Sequence, residues 1–485
     1  MSGLRISTWS LQKIASACGA ELRHGRDLHI SGVNTDTRTI TSGSLFVALR
    51  GERFDGHRFL DAAFERGASA ALVDRRGAPA STTPQPLLVV DDTLAALTRL
   101  GHALWQEATR AGMSTVAVTG SNGKTTTKEL LAALWSTRGE VWATPGNLNN
   151  HIGVPLTLCA LPESCDHLIC EMGANHIGEI AGLIRLAPGD TRVISSIGAA
   201  HLEGFGSLDG VRQGKSEIFE CADAATHAIL PCAEKDKLML EGFAGDLWTF
   251  GVEEGARVRV VTCHEAADGN AAMDVELEAD SRKLTLSLPL LGIHNATNLA
   301  AALATLAARQ VELEPKQLNE ALARLQLPGG RFRQLEVGGV HILDDAYNAN
   351  PSSVRASVEA FERWAQRRGC PSAFAIIGEL RELGEHAEGA HRELAAWLAT
   401  RDQLGGVAFV GTYAEVMARA YSEVQPEHEV RAHSLVDDDL IAWVAGRQGA
   451  AVLLKGSRGA RLETIVDALQ HAPPASARGN SSSEA

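Results

Sequence analysis

The stretch Ser114-Thr-Val-Ala-Val-Thr-Gly-Ser-Asn-Gly-Lys-Thr-Thr-Thr127 decides the fold of the middle of this chain. It predicts a buried β-strand over residues 115–119, then a tight glycine loop, then a helix. Glycines let the backbone N–H groups turn toward a bound phosphate, and the helix N-terminus adds unpaired N–H groups and a positive dipole end. The stretch therefore predicts a nucleotide site in which Lys124 reaches the β- and γ-phosphates and the Thr125 hydroxyl ligates Mg²⁺.

The loop is shorter than the usual phosphate-binding pattern, because Val118 stands six residues before Lys124, where glycine is usual. An ordinary glycine-rich turn with a surface lysine is the alternative interpretation. The order of strand, Gly-Lys-Thr and helix favours the phosphate loop.

Composition limits the classes of protein to consider. The 485 residues carry a net charge of −14, with 45% hydrophobic and 21% charged residues. These values predict several globular domains and argue against a general nucleic-acid or membrane-surface binder. The eight cysteines form no C-x-x-C pair, which favours reduced thiols over a zinc site. Without a signal peptide pattern or an apolar run of about 18 residues, the expectation is a cytoplasmic protein with no membrane span.

The strand and helix patterns predict an α/β fold of three domains. Residues 1–90 read as a small α/β N-terminal domain, and residues 91–327 as a doubly wound, mostly parallel sheet with an antiparallel subsheet near residues 256–291. Residues 328–470 read as a Rossmann-like C-terminal α/β domain. Residues 471–485 are rich in Ser, Ala and Pro and predict a disordered tail.

Polar residues follow the predicted strands of the middle domain. Glu171 ends one strand, at the sheet edge where ligands bind in open α/β sheets, and can hold Mg²⁺ opposite Thr125. A solvated loop carboxylate is the alternative. His201 follows the next strand, in a loop containing Gly204 and Gly206, whereas Lys215 alone reads as a solvated lysine.

Further candidates lie near the second domain boundary. Asn295 reads as the cap of an alanine-rich helix, and Asn298 on its buried face is better explained by a ligand. Arg331 can supply the guanidinium that phosphoryl transfer commonly uses. Asp344 and Asp345 precede a turn and a helix that begins at Pro351; a simple Asx turn needs only one of these carboxylates.

Taken in their order along the chain, these motifs resemble those of the Mur ligases, the enzymes that build the peptide of bacterial peptidoglycan. The resemblance covers nearly the whole chain and is carried by Asp36-Thr-Arg38, residues 43–57, the phosphate loop, Gly146-Asn-Leu-Asn-Asn150, Glu171-Met-Gly173, His201-Leu-Glu-Gly-Phe205, Lys215, His294-Asn-Ala-Thr-Asn298, Asp345-Ala-Tyr-Asn-Ala-Asn-Pro351 and Lys455-Gly-Ser-Arg458. Three of these segments, at residues 146–150, 346–351 and 455–458, look like those of the family members that add D-alanyl-D-alanine. The Asp-Asn-Pro-Arg motif of the preceding ligase is absent.

The resemblance implies a role for each candidate residue. ATP would be bound by Gly120, Ser121, Asn122, Gly123, Lys124, Thr125, Thr126, Asn295, Asn298, Arg331 and Asp345. Two Mg²⁺ ions would be held by Thr125, Glu171, His201 and Lys215, the last as a carbamylated lysine. The catalytic group would be Lys124, Lys215, His201 and Arg331. Substrate would be bound by Asp36, Thr37, Phe54, Asp55, Gly56, His57, Asn147, Asn149, Asn348 and Asn350, with Ser457 and Arg458 near the dipeptide.

The resemblance also implies the reaction. An ATP-dependent ligase would join D-alanyl-D-alanine to UDP-N-acetylmuramoyl-tripeptide through an acyl phosphate, acting as a monomer. The alternatives are a related Mur ligase that adds the third amino acid, a folate polyglutamate ligase, which the N-terminal segment disfavours, and a regulatory nucleotide-binding protein. In a regulatory protein, there would be no common role for Glu171, His201 and Lys215.

Overall fold

The computed structural model of the chain describes residues 3–25, 28–52, 54–78, 84–265, 273–279 and 282–471. Its strands form sheets of five, nine and six strands, which follow one another along the chain. The tail expected to be disordered lies outside the described residues, apart from His471. Among the described residues, no helix is both long and apolar enough to cross a membrane.

The N-terminal unit is built on the five-stranded sheet, in the order β1-β5-β4-β3-β2. Its elements are α1 (Leu11–Cys18), β1 (Glu21–Arg23), β2 (Val33–Asn34), β3 (Leu45–Val47), α2 (Leu60–Glu65), β4 (Ala70–Asp74) and β5 (Leu87–Val90). All strands pair in parallel except β1, which runs antiparallel to β5. The apolar runs of β4 and β5 are buried throughout, as expected for parallel strands covered on both faces.

Helix α3 (Thr93–Arg110) leads from this unit into the middle unit. Asp92 caps it, accepting hydrogen bonds from the backbone N–H groups of Leu94 and Ala95. Its buried leucines, Leu97, Leu100 and Leu104, belong to the core of the N-terminal unit.

The middle unit is built on the nine-stranded sheet, in the order β14-β13-β12-β11-β10-β9-β6-β8-β7. Its elements are β6 (Ser114–Thr119), α4 (Lys124–Trp135), β7 (Val141–Ala143), α5 (Gly153–Cys159), β8 (His167–Glu171), α6 (Glu179–Leu186), β9 (Thr191–Ile194), α7 (Leu202–Phe205), α8 (Leu208–Ser216), β10 (His227–Pro231), β11 (Asp246–Gly251), β12 (Val258–Glu265), β13 (Met273–Ala279), β14 (Arg282–Leu288), α9 (Ile293–Ala308) and α10 (Pro315–Leu322). Strand β6 lies between β8 and β9, where the strand order reverses; in open α/β sheets such a reversal marks the ligand crevice.

The middle sheet changes direction at its far edge. Strands β7 to β12 pair in parallel, whereas β13 runs antiparallel to both β12 and β14. Residues Leu284, Leu286 and Leu288 of β14 alternate with exposed residues, as in a strand with one face in the core. The predicted antiparallel subsheet is therefore confirmed.

The C-terminal unit is built on the six-stranded sheet, in the order β15-β16-β20-β17-β18-β19. Its elements are β15 (Arg333–Val337), β16 (Val340–Asp344), α11 (Pro351–Arg367), β17 (Ala373–Gly378), α12 (Ala387–Leu398), β18 (Leu404–Val410), α13 (Ala414–Val424), β19 (Glu429–His433), α14 (Asp438–Ala445), β20 (Ala451–Lys455) and α15 (Glu463–His471). The sheet is parallel except for β15, which forms an antiparallel hairpin with β16.

The predicted fold class is confirmed, but two edge strands of the C-terminal unit were not predicted. Strand β15 is joined to β16 by Gly338 and Gly339, with φ of 60° and 78°, a glycine pair typical of a two-residue hairpin. Strand β19 has the polar sequence Glu-Val-Arg-Ala-His and only its last residue is buried, so it lacks the apolar run by which the other strands were recognised. The domain boundaries near residues 90 and 328 stay predictions.

We expect Leu303→Ala in α9 to destabilise the middle unit. Leu303 is fully buried in the largest core cluster, and such truncations cost about 2–5 kcal/mol because a cavity remains. The calorimetric unfolding midpoint should fall by at least about 4 °C. The control is Leu435→Ala, whose leucine is 62% exposed and whose midpoint should not move. Equal midpoints for the two variants would contradict the packing of α9.

Candidate active site

Hydrogen bonds to the residues that follow β9 hold the loop between β6 and α4. The Ser121 N–H donates to the Ser196 carbonyl and the Asn122 N–H to the Ser196 hydroxyl, both at 2.9 Å. The Ser195 hydroxyl donates to the Asn122 carbonyl at 2.6 Å, and the Ser121 hydroxyl to the Gly198 carbonyl at 2.9 Å. The protein itself thus fixes the shape of the loop backbone.

Two glycines of the loop have conformations and surroundings that exclude a side chain. Gly120 has a φ of 149°, and a Cβ there would lie 2.2 Å from Ser195 Oγ. Gly123 has a φ of 74°, and a Cβ there would lie 2.5 Å from Asn298 Oδ1. The close approach of neighbouring side chains therefore requires glycine at both positions.

Lys124 is the first residue of α4 and folds back over the loop. Its Nζ donates to the carbonyls of Gly120 at 2.7 Å and of Ser121 at 3.2 Å. Burial lowers the pKa of Lys124, and the Glu171 carboxylate opposes this shift. The ammonium group is thus held beside the loop, where a bound phosphate would lie.

A cavity of about 1030 Å³ opens at this end of the middle sheet and extends to the C-terminal unit. The candidate residues that line it are Ser121, Asn122, Gly123, Lys124, Thr125, Thr126, Asn147, Asn149, Glu171, His201, Asn295, Asn298, Arg331, Asp345, Asn348 and Asn350. Gly120, Lys215, Ser457 and Arg458 are not among the described residues that line it. The structure thus brings together most of the residues predicted for ATP, metal and dipeptide.

Glu171 ends β8 and is 1% exposed. Its Oε1 accepts a hydrogen bond from Asn149 Nδ2 at 2.8 Å, whereas its Oε2 is buried without a hydrogen-bond partner among the described residues. Leaving a buried carboxylate oxygen unpaired costs several kcal/mol in the absence of a ligand. The alternative of a solvated loop carboxylate is therefore wrong.

Glu171 and Thr125 fit the Mg²⁺ that the resemblance implies. The described residues contain no cluster of three or more His, Cys, Asp or Glu that could hold a metal by themselves. Mg²⁺ is typically bound through one or two carboxylates together with substrate phosphates and waters, so a buried carboxylate oxygen beside a phosphate loop is a suitable ligand. The Thr125 hydroxyl accepts a hydrogen bond from Arg331 Nη2 at 3.2 Å.

Lys215, in α8, is fully buried, so its interpretation as a solvated lysine is wrong. Its Nζ donates to the Ala174 carbonyl at 3.3 Å and lies 5.0 Å from the centroid of the Phe205 ring. Burial, together with the nearby charge of Lys124, lowers the pKa of Lys215 to about 7. A substantial fraction of this amine is therefore neutral at pH 7.

His201 lies in the left-handed region, with a φ of 55°, and precedes α7. Its Nδ1 lies 2.5 Å from Oε2 of Glu382 in the C-terminal unit, and the contact with His201 lowers the pKa of Glu382. Sequence reasoning missed Glu382. Its position in Glu379-Leu-Arg-Glu-Leu-Gly384, directly after buried strand β17, was the available signal.

Arg331 enters the cleft from the start of the C-terminal unit. Its guanidinium stacks on the ring of Tyr347, with 3.6 Å between Cζ and the ring centroid. Together with the bond to Thr125, this stacking holds the guanidinium over the first turn of α4. A guanidinium held flat against an aromatic ring in this way keeps its N–H donors in one orientation.

Asn295 does not cap α9. The cap position is Gly292, with a φ of 90°, so Asn295 lies inside the first turn. It is buried, and its Nδ2 donates to the Leu291 carbonyl at 2.6 Å. Asn298 Nδ2 donates to Asn295 Oδ1, and Asn298 Oδ1 accepts from Thr127 Oγ1, both at 3.3 Å. The burial of Asn298 is thus explained by partners within the protein.

Asp345 forms a buried ion pair. Its Oδ2 lies 2.7 Å from Lys455 Nζ and accepts a hydrogen bond from Ser357 Oγ at 2.6 Å. Lys455 also donates to the Asn348 carbonyl at 2.8 Å. These bonds fix the chain that leads into α11.

The phosphate loop is in direct contact with the N-terminus of α11. Asn350 caps that helix, and its Nδ2 donates to Asn122 Oδ1 at 2.5 Å. Asn122 Nδ2 in turn donates to Ser352 Oγ at 3.1 Å. The C-terminal unit thus closes one side of the phosphate site.

The candidates for the uridine diphosphate end lie in the N-terminal unit, away from this cavity. Asp36 caps the short turn Thr37–Thr39 and forms an ion pair with Arg38 at 2.6 Å. Asp55 Oδ1 accepts a hydrogen bond from His57 Nδ1 at 2.7 Å. None of Asp36, Thr37 and residues 54–57 is among the described residues that line the cavity.

Comparisons with known proteins agree with this architecture. Residues 118–306 match the Mur ligase middle domain, residues 330–458 the "Mur ligase, glutamate ligase domain", and residues 29–105 the "Mur ligase family, catalytic domain". The UDP-N-acetylmuramoyl-tripeptide–D-alanyl-D-alanine ligase of Escherichia coli (strain K12) is 35% identical over 95% of this chain and 98% of its own.

Solved structures show the same likeness. MurF from Acinetobacter baumannii superimposes with a TM-score of 0.83 and 29% identity, covering 96% of this chain and 99% of that one. MurF ligase from Thermotoga maritima, solved in complex with ADP, gives a TM-score of 0.75 at 29% identity, covering 90% and 97%. The chain therefore belongs to the Mur ligase family, and the resemblance inferred from its sequence is confirmed.

We expect Gly123→Ala to destabilise the protein by about 1–3 kcal/mol, because alanine would be strained at this φ and its Cβ would meet Asn298. The unfolding midpoint is the measurement. Gly389→Ala in α12 is the control, because Gly389 has no positive φ and a Cβ there would meet no atom of the described residues within 4 Å. It should be neutral or stabilising. A Gly123→Ala protein as stable as wild type would contradict the loop packing.

Proposed function

We propose that this chain is an ATP-dependent ligase that joins D-alanyl-D-alanine to UDP-N-acetylmuramoyl-tripeptide and releases ADP and phosphate. The observation that carries the proposal is the cleft in which three features converge: the phosphate loop, Arg331 and the Glu171 oxygen that has no partner in the described part of the chain. The choice of substrates is supported by the activity after which the Escherichia coli relative is named; that relative aligns over 95% of this chain. Support for ATP comes from the ADP complex of the Thermotoga maritima relative.

In this proposal, ATP binds across the middle and C-terminal units. Residues 120–126 cradle the phosphates, with Lys124 moving from the loop carbonyls onto the phosphate oxygens. Asn295 and Asn298 lie beside the adenine, and Asp345 near the ribose. Because both asparagines already have hydrogen-bond partners within the protein, part of their contribution to ATP binding is to shape the wall of the cavity beside the adenine.

Thr125 and Glu171 would hold one Mg²⁺, and His201 and Lys215 would serve a second. When bound, Mg²⁺ neutralises charge on the transferring phosphoryl group. Lys215 would act as a carbamate: the adduct of its amine with carbon dioxide is a carboxylate, which can ligate a cation. Its burial beside Ala174 supports this assignment, because a buried neutral amine is the form that adds carbon dioxide.

The reaction requires activation of a carboxylate, since a free carboxylate is a poor acylating agent at neutral pH. Attack of the tripeptide carboxylate on the γ-phosphorus breaks the bond to ADP and gives an acyl phosphate. The dipeptide amine then attacks the acyl carbon, and phosphate leaves. Lys124 and Arg331 stabilise the charge on the transferring group.

An acyl phosphate hydrolyses readily, so water must be excluded from the cleft. Closure of the three units around hinges near residues 110 and 328 would achieve this. In the proposed arrangement, Asp36, Thr37, Phe54, Asp55, Gly56 and His57 hold the uridine diphosphate end. Asn147 and Asn149 face the peptide, and Asn348 and Asn350, with Ser457 and Arg458, face the dipeptide. Identical X-ray scattering profiles with and without all substrates would contradict closure.

Phosphate release tests the reaction. Purified protein with ATP and Mg²⁺ is given UDP-muramoyl-tripeptide and D-alanyl-D-alanine singly and together. Release only with both, and a product heavier by one dipeptide unit in mass spectrometry, is the expected result. Release with the dipeptide-stage precursor and a free amino acid would instead identify the ligase that adds the third residue. ATP turnover without any muramoyl peptide would favour the regulatory protein.

We expect Glu171→Gln to lower phosphate release by about 10²-fold or more, because the neutral amide cannot replace a carboxylate beside Mg²⁺. The loss should be largest at low Mg²⁺. Glu415→Gln on α13 is the control, since Glu415 is exposed and outside the cavity. Full activity of Glu171→Gln at every Mg²⁺ concentration would overturn the metal assignment.

The carbamate has a separate test. Protein equilibrated with isotope-labelled bicarbonate should show one carbamate carbon signal in NMR spectra, and Lys215→Arg should lack it. The variant should also lose activity by about 10²-fold or more, because arginine cannot supply the carboxylate. A signal that persists in Lys215→Arg would contradict the assignment.

The cytoplasmic location and the monomeric state are also part of the proposal. Light scattering of the purified protein tests the monomeric state.

A further inference from the structure

We propose that Glu382 is a positioning residue that orients the His201 imidazole for cation binding, and that the C-terminal unit thereby completes a site on the middle unit. The inference rests on the proposed function, because it assigns a role to a side chain beside that ligase site. It concerns a residue that no sequence motif had pointed to.

The contact joins the two units directly. His201 Nδ1 lies 2.5 Å from Glu382 Oε2. The angle at Nδ1 does not meet that of a hydrogen bond, so the short distance is that of an ion-pair contact. A small rotation of the half-exposed Glu382 side chain would bring its oxygen into line with an Nδ1–H. When Nδ1 carries the proton, Nε2 keeps its lone pair, which is the form of imidazole that binds a cation. Histidines that ligate metals commonly donate their other ring N–H to a carboxylate in this way.

The loop that carries Glu382 is firmly anchored. Leu380 and Leu383 on either side of Glu382 are 2% and 3% exposed and belong to the large core cluster. The Leu380 N–H donates to Nε2 of the buried His391 at 2.9 Å. At the loop start, Glu379 Oε2 accepts the Thr412 N–H at 2.9 Å. Because these neighbours of Glu382 are packed and hydrogen-bonded, the backbone at Glu382 is held in place and its side chain is directed accordingly.

Backbone strain is present at both ends of the contact. Glu382 and His201 have φ of 64° and 55°, and neither is glycine. Such conformations cost of the order of 1–3 kcal/mol each and are concentrated at functional sites. Close by, a Cβ on Gly384 would lie 3.4 Å from the Glu203 Cβ. The loop of the C-terminal unit and helix α7 therefore approach each other closely.

The neighbouring arginine does not compete for this carboxylate. Arg381 Nε lies 3.3 Å from Glu379 Oε1, so it is paired within its own loop. The Glu382 side chain remains 50% exposed. An ordinary ion pair so exposed would contribute at most about 1 kcal/mol to stability. A positioning role requires more, namely control over which ring nitrogen of His201 carries the proton.

Nitrogen NMR of histidine-labelled full-length protein reads that proton directly. The His201 signals are assigned by their loss in His201→Gln. In wild type, His201 should show a protonated Nδ1 and an unprotonated Nε2 at a pH where the ring is neutral. In Glu382→Gln this preference should weaken, with a mixture of the two tautomers. The control is Glu385→Gln in the same loop, where Glu385 is 90% exposed, and its His201 signals should match wild type.

Cation affinity gives a second readout that needs no turnover. Mn²⁺ serves as the probe, titrated by electron paramagnetic resonance into protein bound to a non-hydrolysable ATP analogue. Glu382→Gln should weaken the lower-affinity Mn²⁺ site by about 10-fold, the usual effect of removing such a partner, while Glu385→Gln should not. Unfolding midpoints close to wild type would exclude misfolding as the cause.

The outcomes separate this inference from the ligase assignment. An unchanged His201 tautomer and unchanged Mn²⁺ affinity in Glu382→Gln would overturn the inference and leave an ordinary surface ion pair, even if wild type is an active ligase. Conversely, a wild-type protein that ligates neither substrate pair would overturn the proposed function. The tautomer and Mn²⁺ measurements would still decide the role of Glu382.

Discussion

The close packing of the phosphate loop against its neighbours is the constraint on which the site depends. Ser195 and Asn298 approach the loop so closely that neither Gly120 nor Gly123 could carry a Cβ. The same loop backbone is bonded to Ser196, at the edge where β9 ends. A loop held on both sides in this way keeps its backbone shape without a ligand, and such preorganisation limits the entropy lost when phosphate binds.

From this loop the contacts extend to the C-terminal unit. Asn350 and Ser352 bond to Asn122, Arg331 bonds to Thr125, and Glu382 reaches His201. All are polar contacts between side chains, which re-form more easily after a rigid-body movement than an apolar interface does. The same two units also share an apolar cluster that includes residues of α9 and α11, so the polar contacts around the cleft, and not the whole interface, are suited to the proposed closure.

Local sequence pattern predicted what is local in this structure. The strand, loop and helix around Lys124 follow from apolar runs and glycine spacing, and Glu171 was located because parallel strands end at one sheet edge. Contacts between distant segments could not be predicted in this way. Asn122 and Asn350 lie 228 positions apart, and no periodicity relates Glu382 to His201. The cap of α9 was misassigned because the helix begins at Ile293, and the cap position is Gly292, a residue without a side chain three positions before Asn295.

The buried charges of the site indicate what the fold is adapted to do. Among the described residues, one oxygen of Glu171 finds no hydrogen-bond partner, and the fully buried amine of Lys215 makes a single long hydrogen bond. Apolar residues of similar volume at such positions are often neutral or stabilising, so these groups contribute little to folding. In the proposed function, cations and phosphates would supply the missing partners of these groups. The middle unit is therefore less stable than its packing would allow. The groups that lower its stability lie where the ligands of a Mur ligase would bind.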